Sequence, residues 1–424
     1  MRSLRSILAL LLMLPALALA NGYDVPNVAP RDLAMAGSAV AAQNDAGAAY
    51  AMPAALSRLP GLGLSLNGSV LVFTTEWTDI TGGSYYPSPA ETQFKPVPPV
   101  ALFASYGFEF KGRKVGIGGG INVPGGGNVF WDEDWAGRGS IITVDRKIYA
   151  GYLSGGYELN QQLRLGASLV YYYGTEYLKQ GVQPVPGAYG ELATKGGALS
   201  FGLSAEIRPS LSVPLTLAFD FKYQGKMNLK GDGHFSVPGG LAPAVTDQGV
   251  THELTYPSVL NFAAAYQVAK PLLLTFGFTY NFYSVYQADT FIGSAGLVID
   301  VPRNYSDGMT FRLGGEFDAT DRLVVRAGLL RDISGLDPAS YSPTLPDSST
   351  WAVSAGLGFK VTPALTVNGA YFHGFMDRVT APVDGASIPG AYQSSVWIAS
   401  AGVTFTPGAG KTPAAAPVAT PAAR

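Results

Sequence analysis

Over much of the chain, large apolar side chains recur at every second position. In residues 272–283, LLLTFGFTYNFY, Leu272, Leu274, Phe276, Phe278, Tyr280 and Phe282 alternate with Thr275, Gly277, Thr279, Asn281 and Tyr283. A strand sends alternate side chains to opposite faces, so this pattern predicts a strand with one greasy face and one small or polar face. The same alternation runs through residues 163–173, 323–329 and 365–371, and it puts Arg164 and Arg326 on the polar side. A soluble sandwich buries its apolar face and covers the other with polar groups. A transmembrane barrel inverts that order, with apolar side chains toward lipid and polar ones toward the lumen.

Counting segments supports the barrel. Strands are predicted at 61–75, 97–110, 112–124, 140–159, 162–177, 194–208, 213–229, 253–268, 271–287, 307–318, 321–332, 349–361, 364–378 and 392–406, fourteen in all. Six short connections, near Lys111, Asn160, Ser210, Lys270, Thr320 and Pro363, alternate with seven long ones. That alternation is what fourteen up-and-down strands with short periplasmic turns and long outer loops require. The predicted fold class is all-β, a fourteen-stranded antiparallel transmembrane β-barrel with an N-terminal plug in its lumen.

Composition sharpens the picture. Of the 424 residues, 47% are hydrophobic and 14% are charged, against a usual charged share of about 25%. Such a surface suits lipid better than water. A formal charge of -2 argues against nucleic acid as a partner. There is no cysteine, and the three histidines lie far apart, so no metal or other cofactor is expected.

The ends fall outside the barrel. Arg2 and Arg5, an apolar run from Ile7 to Leu14, and Ala18-Leu19-Ala20 read as a cleaved secretory signal over residues 1–20. Residues 21–60, rich in alanine and glycine, are expected to form a hatch, because their apolar side chains would be wasted in water. Residues 61–406 are expected to form the barrel, and the Pro/Ala-rich 407–424 a disordered tail.

Several local stretches carry a resemblance: NDAGAAYAMPAAL (44–56), FKYQGKMNLKGDG (221–233), YPSVLNFAAAY (256–266), YSDGMTFRLGGEF (305–317) and LPDSSTWAVSAGLGFKVTPALTV (345–367). In this order they make the chain similar to the long-chain fatty-acid outer-membrane transporters of the FadL/TodX type. The resemblance implies passive passage of hydrophobic molecules, either fatty acids or aromatic hydrocarbons. It also implies a hatch that moves and a third strand kinked inward to leave a lateral exit. This chain departs from the family at Met52-Pro53-Ala54, where an Asn-Pro-Ala is usual, and at Ser306, where fatty-acid members often have a lysine. The loops at 178–193 and 230–252 are also shorter.

The kink is expected at Gly118, Gly119, Gly120, Pro124, Gly125, Gly126 and Gly127, where Pro124 lacks a ladder donor and the glycines permit bends. Expected ligand contacts are Met52, Pro53, Asn122, Pro124, Phe130, Trp131, Tyr283, Arg303 and Arg331, the last two as cations for an acidic ligand. The partners expected are a hydrophobic small molecule, outer-membrane lipid and lipopolysaccharide, with the barrel working as a monomer in a Gram-negative outer membrane. Two other readings stand beside uptake. One is a surface adhesin or receptor; the other is a barrel lipase, for which AVSAG (352–356) is the nearest stretch to a nucleophile elbow, with Ala352 in place of a glycine and Ser354 in a strand.

Overall fold

The computed structural model describes residues 23–25, 29–82, 88–182, 187–238, 246–382 and 388–406. The expected signal peptide and C-terminal tail lie outside the described residues.

Fourteen antiparallel strands close into one barrel. They are β1 (Gly61–Thr78), β2 (Val100–Phe110), β3 (Arg113–Phe130), β4 (Thr143–Glu158), β5 (Leu163–Gly181) and β6 (Tyr189–Ile207). Then come β7 in two pieces (Leu215–Lys222 and Gly225–Ser236), β8 in two (Gln248–Tyr256 and Val259–Ala269), and β9 (Leu272–Asn281). The wall ends with β10 (Gly308–Asp318), β11 (Leu323–Ile333), β12 (Thr350–Thr362), β13 (Leu365–Met376) and β14 (Gly390–Phe405). β1 pairs with β14 from Leu64–Phe405 to Thr78–Ala391, and this seam removes the sheet's free edges.

The period-2 pattern explains which face is which. Along β9, Thr275, Gly277, Thr279 and Asn281 are buried while Leu274, Phe276, Phe278 and Tyr280 look outward. Leu66, Leu153 and Leu199 are among the most exposed residues, as a lipid-facing surface requires. The β2–β3 turn is tight, with Lys111 at φ 49° and Gly112 at φ 73°, the paired left-handed conformation of a two-residue hairpin.

Several strand bounds differ from the prediction: β6 already starts at Tyr189, and β7 is broken and runs on to Ser236. β3 runs on to Phe130, so Gly125–Gly127, beyond the predicted end of this strand, lie in the wall. β9 stops at Asn281, Phe282 makes one last bond to the Ser258 carbonyl, and Tyr283 begins a 3₁₀ turn.

The lumen is filled by helix α1 (Pro30–Ala34), helix α2 (Ala48–Ala51) and 3₁₀ turns at Ala39–Ala42 and Pro53–Arg58. Leu33, Ala34, Met35, Met52 and Leu56 are fully buried there. Wall hydroxyls meet this plug: Ser154 Oγ donates to the Ala49 carbonyl at 2.6 Å, and Ser354 Oγ donates to the Ala34 carbonyl at 2.9 Å. At Gly166 a Cβ would strike the backbone of Pro53 and Ala54, so only glycine lets the plug approach β5 this closely.

Two ion-pair groups pin the plug near the short-turn end. Arg31 meets Glu316 of β10 at 2.9 Å, and Glu316 also takes Arg326 of β11 at 2.6 Å. Arg58 meets Glu206 of β6 at 3.0 Å, which Arg164 of β5 shares at 2.7 Å. Arg164 and Arg326 therefore lie on the inner face, as their parity predicts.

Candidate functional site: a wall gap, a cavity and an ionic layer

β2 and β3 pair from Phe110–Arg113 only as far as Leu102–Ile121. Beyond that point β3 keeps its bonds to β4, but its register shifts between Asn122 and Gly125, where Val123 and Pro124 together stand opposite Tyr149. Two residues facing one is a β-bulge. On the other side the chain before β2 leans toward β1, through Thr92 N–H to the Thr75 carbonyl and a reciprocal pair between Leu71 and Val97. Backbone contact returns only at Gln93 N–H to the Phe130 carbonyl, 2.7 Å. Among the described residues, no backbone bond joins the two sides in between.

Bare backbone groups in such a gap are costly in lipid. The sequence limits the damage. Pro96, Pro98, Pro99 and Pro124 have no N–H to leave unpaired. The start of the plug satisfies others: Val25 N–H donates to the Pro124 carbonyl at 3.0 Å, and Gly126 N–H donates to the Tyr23 carbonyl at 2.8 Å. Tyr23–Val25 thus takes the edge of β3 that β2 leaves.

Behind the gap lies a cavity of about 550 Å3, lined by Val97, Pro98, Pro124, Tyr152, Tyr172 and Tyr256 among others. Toward the long-loop end a second cavity of about 120 Å3 lies among Ile141, Leu178, Leu192, Phe235 and Phe291. Arg146 borders both.

An ionic layer separates them. Arg146 Nε donates to Glu176 at 2.7 Å, and Arg303 grips Asp289 with Nε at 2.8 Å and Nη2 at 2.6 Å. His252 lies between the two acids, Nδ1 at 2.9 Å from Glu176 and Nε2 at 3.3 Å from Asp289. The Tyr286 hydroxyl donates to Asp289 at 2.7 Å. Tyr23 seats beneath this layer, edge-on to Tyr283 and Tyr286 with the Arg146 guanidinium 5.4 Å from its ring.

The sequence-predicted contacts divide. Pro124 lines the large cavity and Arg303 the small one. Arg303 is a buried partner of Asp289 rather than a free loop cation. Pro53 packs against Gly156 of β4 and Gly166 of β5, Met52 is fully buried, and neither lines these two cavities. Asn122 points inward just before the bulge, while Tyr283 supports Tyr23 from the 3₁₀ turn, its hydroxyl 3.3 Å from the Tyr23 N–H. Phe130 closes the far lip of the gap beneath Lys95, whose Nζ is 4.0 Å from the ring. Trp131 stacks on Trp135 at 4.0 Å in an aromatic cluster under the long loops.

Arg331 corrects the expectation of a lumen cation. Its parity matches Leu329, so β11 turns it outward, where it lies 5.1 Å from the Trp351 ring and 3.0 Å from Asp377. Of the glycines, Gly118–Gly120 sit in a ladder paired on both sides, and only Gly125–Gly127 follow the bulge. Asp289, Glu176 and His252 were missed, because nothing local marks residues that meet only across the lumen. Ser354 sits in a regular strand and its hydroxyl is spent on the plug, not on a catalytic base.

A closed fourteen-stranded barrel with a plugged lumen and a lipid-type outer surface defines an outer-membrane transport barrel. A family model described as outer membrane protein transport protein (OMPP1/FadL/TodX) matches residues 11–406, and the chain belongs to that family.

Solved structures share the fold at low identity. A Pseudomonas aeruginosa FadL homologue is 19% identical with a TM-score of 0.79, covering 91% of this chain and 100% of that one. The Pseudomonas putida toluene transporter TodX is 16% identical with a TM-score of 0.70, covering 91% and 98%. The Ralstonia pickettii toluene transporter TbuX is 15% identical with a TM-score of 0.66, covering 90% and 99%. A 47 kDa outer membrane protein of Pasteurella multocida is 22% identical over 190 residues, which span 42% of this chain and 44% of that protein, so the match covers less than half of that curated relative.

Proposed function

We propose that this protein is a passive channel through which hydrophobic molecules cross the outer membrane and leave sideways through the interrupted wall between β2 and β3. The observation that carries the reading is the stretch between Leu102–Ile121 and Gln93–Phe130 without backbone pairing, backed by a largely apolar cavity. A hydrophobic solute gains nothing from a water-filled pore, whereas an apolar path ending in the bilayer is favourable throughout.

The pinning of the plug supports a lateral route over one straight down. Arg31 ties it to β10 and Arg58 to β6 near the periplasmic turns, while its first residues are held at the gap by a short strand bridge and by the hydrogen bonds and ring contacts of Tyr23 and Asp24. Movement of Tyr23–Val25 therefore opens the way at lower cost than ejecting the plug. In this reading residues 21–60 are the hatch of a single-chain barrel spanning 61–406, with the signal at 1–20 removed and 407–424 a tail. The protein works as a monomer, with lipid and lipopolysaccharide around its apolar wall. TodX and TbuX are described as toluene transporters, which makes toluene a suitable first probe.

Deleting Pro124 tests this directly, because one residue fewer leaves Val123 opposite Tyr149 and makes the β3–β4 register continuous. Protein-dependent entry of labelled toluene into liposomes is expected to fall to the level of empty vesicles. Undiminished entry through a correctly folded deletion variant overturns the lateral route.

A further inference from the structure

The basic side chains that look outward from the long-loop half of the strands fall into two groups. Most hold an acid: Lys147 meets Asp145 at 2.7 Å, Lys179 meets Glu133 at 2.6 Å, Lys226 meets Glu253 at 3.4 Å and Arg331 meets Asp377 at 3.0 Å. Lys195 of β6 and Lys230 of β7 do not. They stand directly opposite each other in the β6–β7 ladder, both exposed, and among the described residues no carboxylate lies within 4.0 Å of either ammonium.

Like charges facing each other across a ladder are unfavourable. Thr175 of β5 and Thr251 of β8 flank the pair in the same row, so the strands on either side bring no acid to it. Of the acids on this face, Glu253 is taken by Lys226, and Glu191 accepts from the Tyr177 hydroxyl at 2.7 Å. Asp232 stands two residues beyond Lys230 on the loop side, opposite Ala193. One carboxylate beside two ammoniums leaves this surface positive.

What lies below the lysines has its own order. Along the outer face of β6, going from the long-loop end into the bilayer, the chain presents Lys195, Gly197, Leu199, Phe201 and Leu203. Leu199 is 70% exposed, and Phe201 and Leu203 are exposed as well. At Gly197 a Cβ would come within 2.3 Å of the Tyr171 hydroxyl, so the missing side chain lets that phenol reach up one step below Lys195. Tyr173 stands opposite Gly197, and Tyr149 opposite Tyr173, an aromatic band of the kind that marks the membrane interface.

Two cations at the top, phenols beneath them and bare apolar side chains below reproduce the polarity order of a phosphorylated lipid standing in the outer leaflet. Lysine binds phosphate as a point charge, and paired lysines at head-group level attract anionic lipid. The long-loop end faces outward, where the leaflet is built of a phosphorylated glycolipid, lipopolysaccharide. We infer that Lys195 and Lys230 form a docking site for a lipopolysaccharide phosphate, with the acyl chains laid along Leu199, Phe201 and Leu203. The site is on the lipid side of the wall, so it stands whether or not the channel reading does. Arg331 also looks outward, but Asp377 already answers it and it forms no such site.

The test is native mass spectrometry of the purified protein in detergent, which counts bound lipids, with heat-modifiable migration on gels to confirm folding. The probes, titrated without divalent cations, are diphosphorylated lipid A, the same lipid stripped of both phosphates, and phosphatidylglycerol. The parent is expected to hold diphosphorylated lipid A about tenfold more tightly than either of the others. Lys195→Gln combined with Lys230→Gln is expected to bring that preference below twofold, while Arg331→Gln leaves it intact. No phosphate preference in the parent, a preference that survives the double substitution, or an equal loss in Arg331→Gln overturns the site. Phosphatidylglycerol held as tightly as lipid A overturns the lipopolysaccharide assignment. Displacement of lipid A by an equimolar amount of inorganic phosphate overturns it too, since the site would then belong to the free ion. The parent comparison stands even if a variant fails to fold.

Discussion

The walls on either side of β4 and β5 differ in one respect that matters. β5 and β6 pair without interruption from Leu163–Ile207 to Gly181–Tyr189, while β2 and β3 separate after Leu102–Ile121. Both stretches are glycine-containing and outwardly apolar. What separates them is where the backbone groups go. In the β5–β6 wall every group finds the next strand, whereas near Pro124 they find the plug or, at the prolines, do not exist. An opening in a membrane wall is thus a matter of supplying substitute partners, not of composition.

The largest effect is expected from imposing the β2–β3 condition on the complete wall. Ala167→Pro in β5 removes a donor that no plug residue replaces, at a cost of about 3 kcal/mol or more. The yield of heat-modifiable folded barrel should collapse, and a well-folded variant contradicts the argument. Next comes the anchoring of the plug. Glu316→Gln leaves Arg31 and Arg326 without their shared carboxylate, an expected loss of about 3 kcal/mol in plug stability. Faster hydrogen exchange across Pro30–Ala42, with the barrel strands still protected, would show it; unchanged exchange would mean the plug is held by shape alone.

The smallest effect concerns the bridge at the gap. Burial pushes the Asp24 carboxyl up to about 7, against the pull of its Tyr256 hydrogen bond and Arg312 and with a push from Asp332. A carboxyl with a raised value holds its proton when seated, so seating is strongest at low pH, weakens as pH climbs to about 7, and changes little beyond. Protease cleavage near Tyr23–Val25 should therefore be slower at pH 5 than at pH 8. Asp24→Asn should flatten that difference, and a profile that survives the substitution assigns it to another group.

The sequence and structure agree where one rule governs many residues. Strand parity placed Thr275 and Thr279 inward and Arg164 and Arg326 in the lumen, because period 2 is imposed by the backbone itself. The same parity, counted from Leu323, puts Arg331 outward, so the signal for that correction was present in the alternation. The pairing of Arg303 with Asp289 was not legible, since it depends on a loop hairpin folding back, with Asp289 opposite Val301. Nor was the bulge, whose glycines and prolines mark irregular backbone without saying which neighbour it abandons.

The seam between β1 and β14 also constrains how the molecule is made. It joins positions such as Ser69 and Ser400, 331 residues apart, so the ring cannot shut until the last strand has been delivered. The plug precedes β1 in the chain yet sits wholly within the ring. It must be in place, or threaded through, before the final zipper closes, much as a ship is set in its bottle while the glass is still open. Assembly of this protein is therefore an ordered enclosure whose slow, long-range last step seals its own cargo inside.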